Sequence, residues 1–321
     1  MKKILAIDGG GVRGIIPAML LAELEAESGK PISELFDLIV GASTGGILAL
    51  GLVAPDLQDA TKPRYSAQQF LGFYIEESQE IFDKSFFYKV TRGIFTSRYH
   101  ARTLEKVLKK YFGRTMLSEA IKPVVVPSYE LRGRFTAFFK SRDVHTKKIE
   151  KDVLMRDVAR AGSAATTYFT PKKIKAYPGA SFIDGGVFAN NPAMCAYAEA
   201  KEIFPDDEDL LVVSLGTGNP QLTIEFENYR TWGLLRWARP LWYILMDGSS
   251  DVVHYQLNYV LPEREKNKRY YRFQIELLQD GREKLDDGSP ENIQALVKLG
   301  QELVDTRKEE IRKLCRQLVE S

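Results

Sequence analysis

Cysteine is scarce in this chain: Cys195 and Cys315 are the only two in 321 residues. They are too few and too far apart to read as a disulfide framework or a zinc site, and a pair of free thiols suits a reducing, cytoplasmic compartment. Histidine is nearly as rare, with only His100, His145 and His254. No run reaches the roughly 18 apolar residues that a membrane span requires, so any contact with membrane is expected to be peripheral. The opening MKKILAIDGG has two lysines, but its apolar stretch is cut short by Asp8 and three glycines, which reads as a strand and not as a signal peptide. Neither sign of charge is in excess. Lys and Arg number 45 against 43 Asp and Glu, a net charge of +2, which speaks against a nucleic-acid polymer as partner. Internal repeats, low-complexity linkers and sharp composition shifts are also missing, so residues 1–321 are expected to form one domain around a sizeable core.

What is present is an alternation of apolar strands and helices. KILAI is followed by the Gly-rich DGGGVRG, then by IIPAMLLAELEAES at helical spacing, Gly29 as a stop, and FDLIV as a second apolar run. That is a βαβ unit, and strands apolar throughout are those of a parallel sheet buried on both faces. Residues 66–112 read as largely helical, 122–140 as two strands, LLVVSLGTG at 210–218 as a buried strand, and YYRFQIEL at 270–277 as a peripheral one. The segments 55–66 and 219–230 read as loops. From Ser289, with Pro290 at the first helical position, an amphipathic helix is predicted almost to the end. The expected class is α/β, a three-layer α/β/α arrangement with a mostly parallel central sheet.

Three stretches carry chemistry. In GASTG, Gly41, Ser43 and Gly45 fit the G-x-S-x-G nucleophile elbow, where a strand turns sharply into a helix and presents a strained serine. A serine needs a group to take its proton, and histidine is the usual one. None of the three histidines follows a strand in a Gly-rich turn, which leaves each as a surface or packing residue. Asp184 in FIDGGVFANNP ends a short apolar run ahead of Gly185 and Gly186, so its carboxylate can approach another backbone closely and act as base if burial raises its pKa. The competing reading is an Asx-type turn in which Asp184 caps local backbone. The third stretch, residues 8–14, places Gly10 and Gly11 where backbone N–H groups can stabilise an oxyanion, with Arg13 adding positive charge. Read literally it also satisfies G-x-G-x-x-G, but the second strand ends in IVGAS and lacks the acidic residue that a dinucleotide ribose needs. A sugar-kinase-like phosphate loop is a further rival, with SLGTG at 214–218 as its weak second loop.

Taken in order, DGGGVRG, GASTG and DGG at 184–186 resemble the oxyanion-hole motif, the nucleophile elbow and the catalytic-aspartate motif of the patatin-like phospholipases. SRYHARTLEKVL, SLGTGN, WGLLRW and LDDGSPENIQALVKLGQELV extend the resemblance over nearly the whole chain. The resemblance implies Ser43 as nucleophile, Asp184 as its base, and Gly9, Gly10, Gly11 and Arg13 as the oxyanion loop. It also implies a lipid acyl hydrolase of phospholipase A type that works through an acyl-enzyme, needs no cofactor or metal, and acts on a phospholipid membrane surface. Some bacterial members of that family are anti-phage effectors switched on by cyclic nucleotides, so a cyclic nucleotide activator is carried as an expected partner, without a nucleotide-binding signature here to support it. The chain departs from the family pattern at Thr166, where many relatives have proline, which bears on a loop near the site. A non-enzymatic storage or binding protein of the same fold, and a nucleotide-dependent kinase, remain as alternatives. WGLLRWARPLWYILM, with Trp232, Trp237 and Trp242 beside Arg236 and Arg239, reads either as a membrane-docking face or as a core helix, and apolar stripes at helical spacing favour core.

Overall fold

Apolar runs separated by glycine-rich turns pair into one seven-stranded sheet. The computed structural model describes residues 1–82, 97–146, 151–220, 233–264, 267–277 and 284–320. Its strands are β1 (Lys2–Ile7), β2 (Leu38–Gly41), β3 (Val124–Glu130), β4 (Phe135–Lys140), β5 (Phe182–Asp184), β6 (Leu210–Leu215), β7 (Asn219–Pro220), β8 (Tyr270–Phe273) and β9 (Glu276–Leu277). The sheet runs β4-β3-β2-β1-β6-β8, with β5 also paired to β3, while β7 and β9 form a separate two-stranded ladder. From β3 to β8 every pairing on that path is parallel; only β4 and β5 lie antiparallel, both against β3.

Among the described residues, the helices of eight or more residues are α1 (Ile15–Ser28), α2 (Thr44–Val53), α3 (Ala67–Ile81), α4 (Ala101–Phe112), α5 (Met155–Gly162), α6 (Ala193–Ile203), α7 (Leu234–Val260), α8 (Pro290–Thr306) and α9 (Lys308–Glu320). Successive residues of a strand point to opposite faces, and both faces of β1 are buried. Leu5 and Ile7 join the larger core beneath α1–α5, α8 and α9. Ile4 and Ala6 join a smaller one beneath α6 and the end of α7. The result is the three-layer α/β/α arrangement that the unbroken apolar strands predict.

Local chemistry sets the boundaries. Gly29 ends α1 in the left-handed conformation, at φ 67°. Ser66 and Gln69 form a capping box at the start of α3. Ser289 caps α8 by accepting from the Asn292 N–H, with Pro290 following. Two expectations change. The final amphipathic segment is two helices, α8 and α9, broken at Arg307; the Thr306 hydroxyl donates back to the carbonyls of Glu302 and Leu303, a contact that bends helices. Residues 270–277 are not one strand. Gln274 Oε1 accepts from the Gly218 and Ile275 N–H groups and turns the chain out of the sheet, so β9 pairs with β7 in the stretch read as a loop. The rest of that loop lies outside the described residues.

The core expectation for the tryptophan-rich segment fails on α7, where Leu241, Ile244 and Leu245 are exposed. Its contact with the smaller core comes later in the helix, through Leu257 and then Leu261. Trp237 is half-buried. Trp232 and the Trp242 side chain lie outside what is described.

Candidate active site

The site forms where β2 stops at Gly41 and α2 begins at Thr44, leaving Ala42 and Ser43 to make the turn. Ser43 sits at φ 51°, ψ −120°, a backbone region that costs a non-glycine residue on the order of 1–3 kcal/mol. Flanking glycines make so sharp a turn possible. A Cβ on Gly41 would lie 2.0 Å from the Gly45 carbonyl oxygen, and one on Gly45 would lie 2.2 Å from that of Ile7.

Asp184 arrives from the far side of the sheet, at the end of β5, whose register on β3 sets it opposite Ser128. The Ser43 hydroxyl donates to Asp184 Oδ2 at 2.6 Å. Oδ1 accepts from the Gly186 N–H at 2.7 Å, and the Asp184 N–H donates to the Ala164 carbonyl at 3.1 Å. A Cβ on Gly185 would lie 2.3 Å from the Pro127 carbonyl oxygen, so that glycine lets the turn lie against β3. Asp184 is buried, and desolvation pushes its carboxyl up to about 6 despite the opposing hydrogen bonds from Ser43 and Gly186. The local Asx contact to Gly186 and the bond to Ser43 coexist, one on each carboxylate oxygen.

The glycine loop after β1 completes the arrangement. Gly10 and Gly11 line one cavity with Ser43 and Asp184. The Gly9 N–H donates to the Asn190 carbonyl at 2.9 Å, and its carbonyl accepts from the Thr217 hydroxyl at 2.7 Å, so Gly9 anchors the loop. Thr217 belongs to the SLGTG turn, which braces this loop. Arg13 lies on the other side, in a small polar chamber with Asp8, Asn190 and Asp247, and its Nε donates to the Gly10 carbonyl at 3.5 Å. It therefore touches the loop from behind and does not line the Ser43 cavity.

That cavity has walls of Ile47, Phe73, Tyr74, Ile81, Phe82, Leu104, Tyr168 and Phe169. Apolar walls around one hydroxyl–carboxylate pair suit a long acyl chain whose ester lies at Ser43. Thr166 stays off the cavity lining while its neighbours Ala165 and Tyr168 form part of it, and Thr167 takes φ 73°. His100 and His254 are surface residues, the latter against the Tyr270 hydroxyl, and neither lines the cavity. The His145 side chain lies outside the described residues. No group of three or more His, Cys, Asp or Glu able to hold a metal occurs among the described residues, and no described helix is long and apolar enough to cross a membrane.

One part of the site escapes the sequence reading. Arg272 of β8 grips Asp8 with both nitrogens, at 2.6 and 2.9 Å, and also donates to the Ser214 hydroxyl at 2.8 Å. The first residue of DGGG is thus an ion-paired strut. An arginine inside the apolar run YYRF was its signal, since a buried charge needs a partner.

Fold and geometry together define an α/β protein with an elbow serine, a buried aspartate and a glycine loop around an apolar cavity. Residues 5–197 match the model of the patatin-like phospholipase family. Patatin-like protein 2 of Arabidopsis thaliana is 32% identical over 94% of this chain and 82% of its own length. Patatin-15 of Solanum tuberosum is 29% identical over 95% and 84%. The crystal structure of VipD from Legionella pneumophila aligns with a TM-score of 0.41 at 13% identity, covering 95% of this chain and 67% of that one. The chain belongs to the patatin-like phospholipase family, a family of lipid acyl hydrolases.

Proposed function

We propose that the protein is a phospholipase of A type, cleaving fatty-acyl esters of membrane phospholipids through a Ser43–Asp184 dyad. The observation that carries this reading is the 2.6 Å hydrogen bond from Ser43 to a buried carboxylate at the wall of a cavity lined mainly by apolar side chains. Ser43 Oγ attacks the ester carbonyl as its proton passes to Asp184. The charge that develops on the carbonyl oxygen is met by the N–H groups of Gly10 and Gly11 and by the positive end of α2. Gly9 lets the loop approach Ser43, and Arg13 steadies it through the Gly10 carbonyl. As the tetrahedral intermediate collapses, Asp184 returns the proton to the lysophospholipid alkoxide, leaving the acyl group on Ser43. Water then attacks this ester, gives its proton to Asp184, and the fatty acid leaves as Ser43 is reprotonated. The lipid is met at the membrane surface, by peripheral contact from the cytoplasm.

The test is mass spectrometry of mixed phospholipid vesicles incubated with the native protein or with Ser43→Ala. Fatty acid and lysophospholipid are expected from the native protein only, with the variant lower by at least about 10³-fold. Equal release by both removes Ser43 from the reaction. If neither releases product, the assay is repeated with cyclic di- and trinucleotides, the activator class expected from the family resemblance; continued silence then favours a binding protein of the same fold.

A further inference from the structure

Helix α7 meets its own molecule along one side. Ser250, Leu257 and, just past the helix, Leu261 are buried, the two leucines in the smaller core. A second stripe faces outward through Leu241, Leu245, Gly248, Val252, Tyr255 and Tyr259. The steps between these positions are four, three, four, three and four residues, the 3.5-residue repeat of a coiled-coil seam. At about 100° per residue the stripe falls on the opposite side of the helix from the buried line. Its five apolar side chains are 45% exposed at Leu241 and 72% at Tyr259, with the others between. A Cβ added at Gly248 would meet nothing within 4 Å. Packing of α7 on its own sheet does not require this repeat.

We propose that the stripe is a dimer seam, and that its occupant is α7 of a second copy of this chain. Spacing is the first argument, because the 3.5-residue repeat, with Ile244 beside it, is that of a helix–helix seam, whereas a helix lying in a membrane surface needs no such repeat. Charge is the second. Arg236 and Arg239 sit in the first two turns of the helix, before the stripe; from Leu241 to Val260, along the stripe itself, there are Asp247 and Asp251 but no Lys or Arg, the residues that draw interfacial helices to anionic lipid. Ser249 and Gln256 flank the stripe on one side and Ile244, Asp251 and Asn258 on the other, so Asp251 is the single charge beside it in each copy. Area is the third. Side chains of this size, 45–72% exposed, make a patch of roughly 500 Å² per copy, and pairing two hides roughly 1,000 Å², the threshold of a specific interface. Gly248, near the middle of the seam, lets two helices approach closely. The same helix supplies Met246 to the wall of the Ser43 cavity, so pairing would also fix that wall.

The experiment is light scattering on the full chain at tens of micromolar, beside Val252→Asp/Tyr255→Asp. The native protein is expected at twice its 36.4 kDa chain mass and the variant at the monomer mass with an unchanged circular dichroism spectrum. Should the variant misfold, Val252→Cys decides. A short bismaleimide is expected to link two chains there, against the native protein as background, because position 252 lies near the seam's midpoint and meets its counterpart in parallel or antiparallel pairing. A monomeric native protein without cross-link overturns the proposal, as does a variant that stays dimeric. Flotation with phosphatidylcholine/phosphatidylglycerol vesicles separates the remaining source: a monomeric native protein that floats, and a seam variant that does not, would make the stripe a lipid-docking face.

Discussion

At the scale of single residues, the proposed mechanism rests on a carboxylate held in the wrong solvent. Desolvation is the largest influence on Asp184 and pushes it up to about 6, close enough to neutrality for it to take a proton from serine and return it. Vesicle hydrolysis is therefore expected to have an acid limb with its midpoint near pH 6, because the base must be ionised; a flat profile between pH 5 and 7 would remove Asp184 from that role. The same shift bears on stability. The fold favours the protonated form, so the contribution is fully present below the ordinary value of 3.8 and is lost as pH rises through about 6. Above that pH the ionised group costs roughly 3 kcal/mol relative to its unfolded state. Asp184→Asn is expected to lose activity by at least about 10³-fold, yet to melt no lower than the native protein at pH 7.5. Calorimetry at pH 5 and 7.5 checks this, since a merely structural aspartate would lower the melting temperature at both.

At the scale of elements, the elbow works because two backbones pass where no side chain fits. Gly45 of α2 lies against the last residue of β1, and its missing Cβ would meet the Ile7 carbonyl oxygen at 2.2 Å and that of Asp8 at 2.7 Å. Gly45→Ala must push β1 and α2 apart at the point that sets the distance between the glycine loop and Ser43. A destabilisation of about 1–3 kcal/mol is expected in urea denaturation. Activity should fall further than stability explains, and an active Gly45→Ala enzyme would show that the loop and the elbow are not mechanically joined. Much of this was legible beforehand, because G-x-S-x-G after an apolar strand specifies the turn and its two glycines. The partner of Ser43 was legible only as a candidate. No local pattern shows that β5 lies antiparallel on β3 in the register that sets Asp184 opposite Ser128.

Across the whole molecule, the glycine loop is held by residues distant in sequence. Asp8, just past the end of β1, and Arg272 of β8 are 264 positions apart, with β6 between the two strands, and both side chains are almost fully buried. Removing one partner leaves a buried charge, so Arg272→Ala is expected to cost about 3–5 kcal/mol, while Asp8→Asn with Arg272→Met should cost less than Arg272→Ala alone. Denaturant midpoints of the single and double variants measure this. A double variant as unstable as Arg272→Ala would mean that the arginine matters through packing and through Ser214, not through the charge it neutralises.

The sequence by itself determined the central strands β1, β2 and β6, because unbroken apolar runs can be buried on both faces only in a covered parallel sheet. It also determined the turns, because glycine at fixed spacing marks where backbone must pass without a side chain. Only the tertiary structure decided which carboxylate faces Ser43, that Gly9 and Arg13 hold the loop from behind, and that Arg272 neutralises Asp8. It likewise decided that Leu241, Ile244 and Leu245 face outward, where their hydrophobicity alone had argued for the core. Each of these depends on register and on contacts between distant segments. Composition and periodicity report a residue's preference for burial or for a bend, and the partner that satisfies it is fixed when the sheet closes.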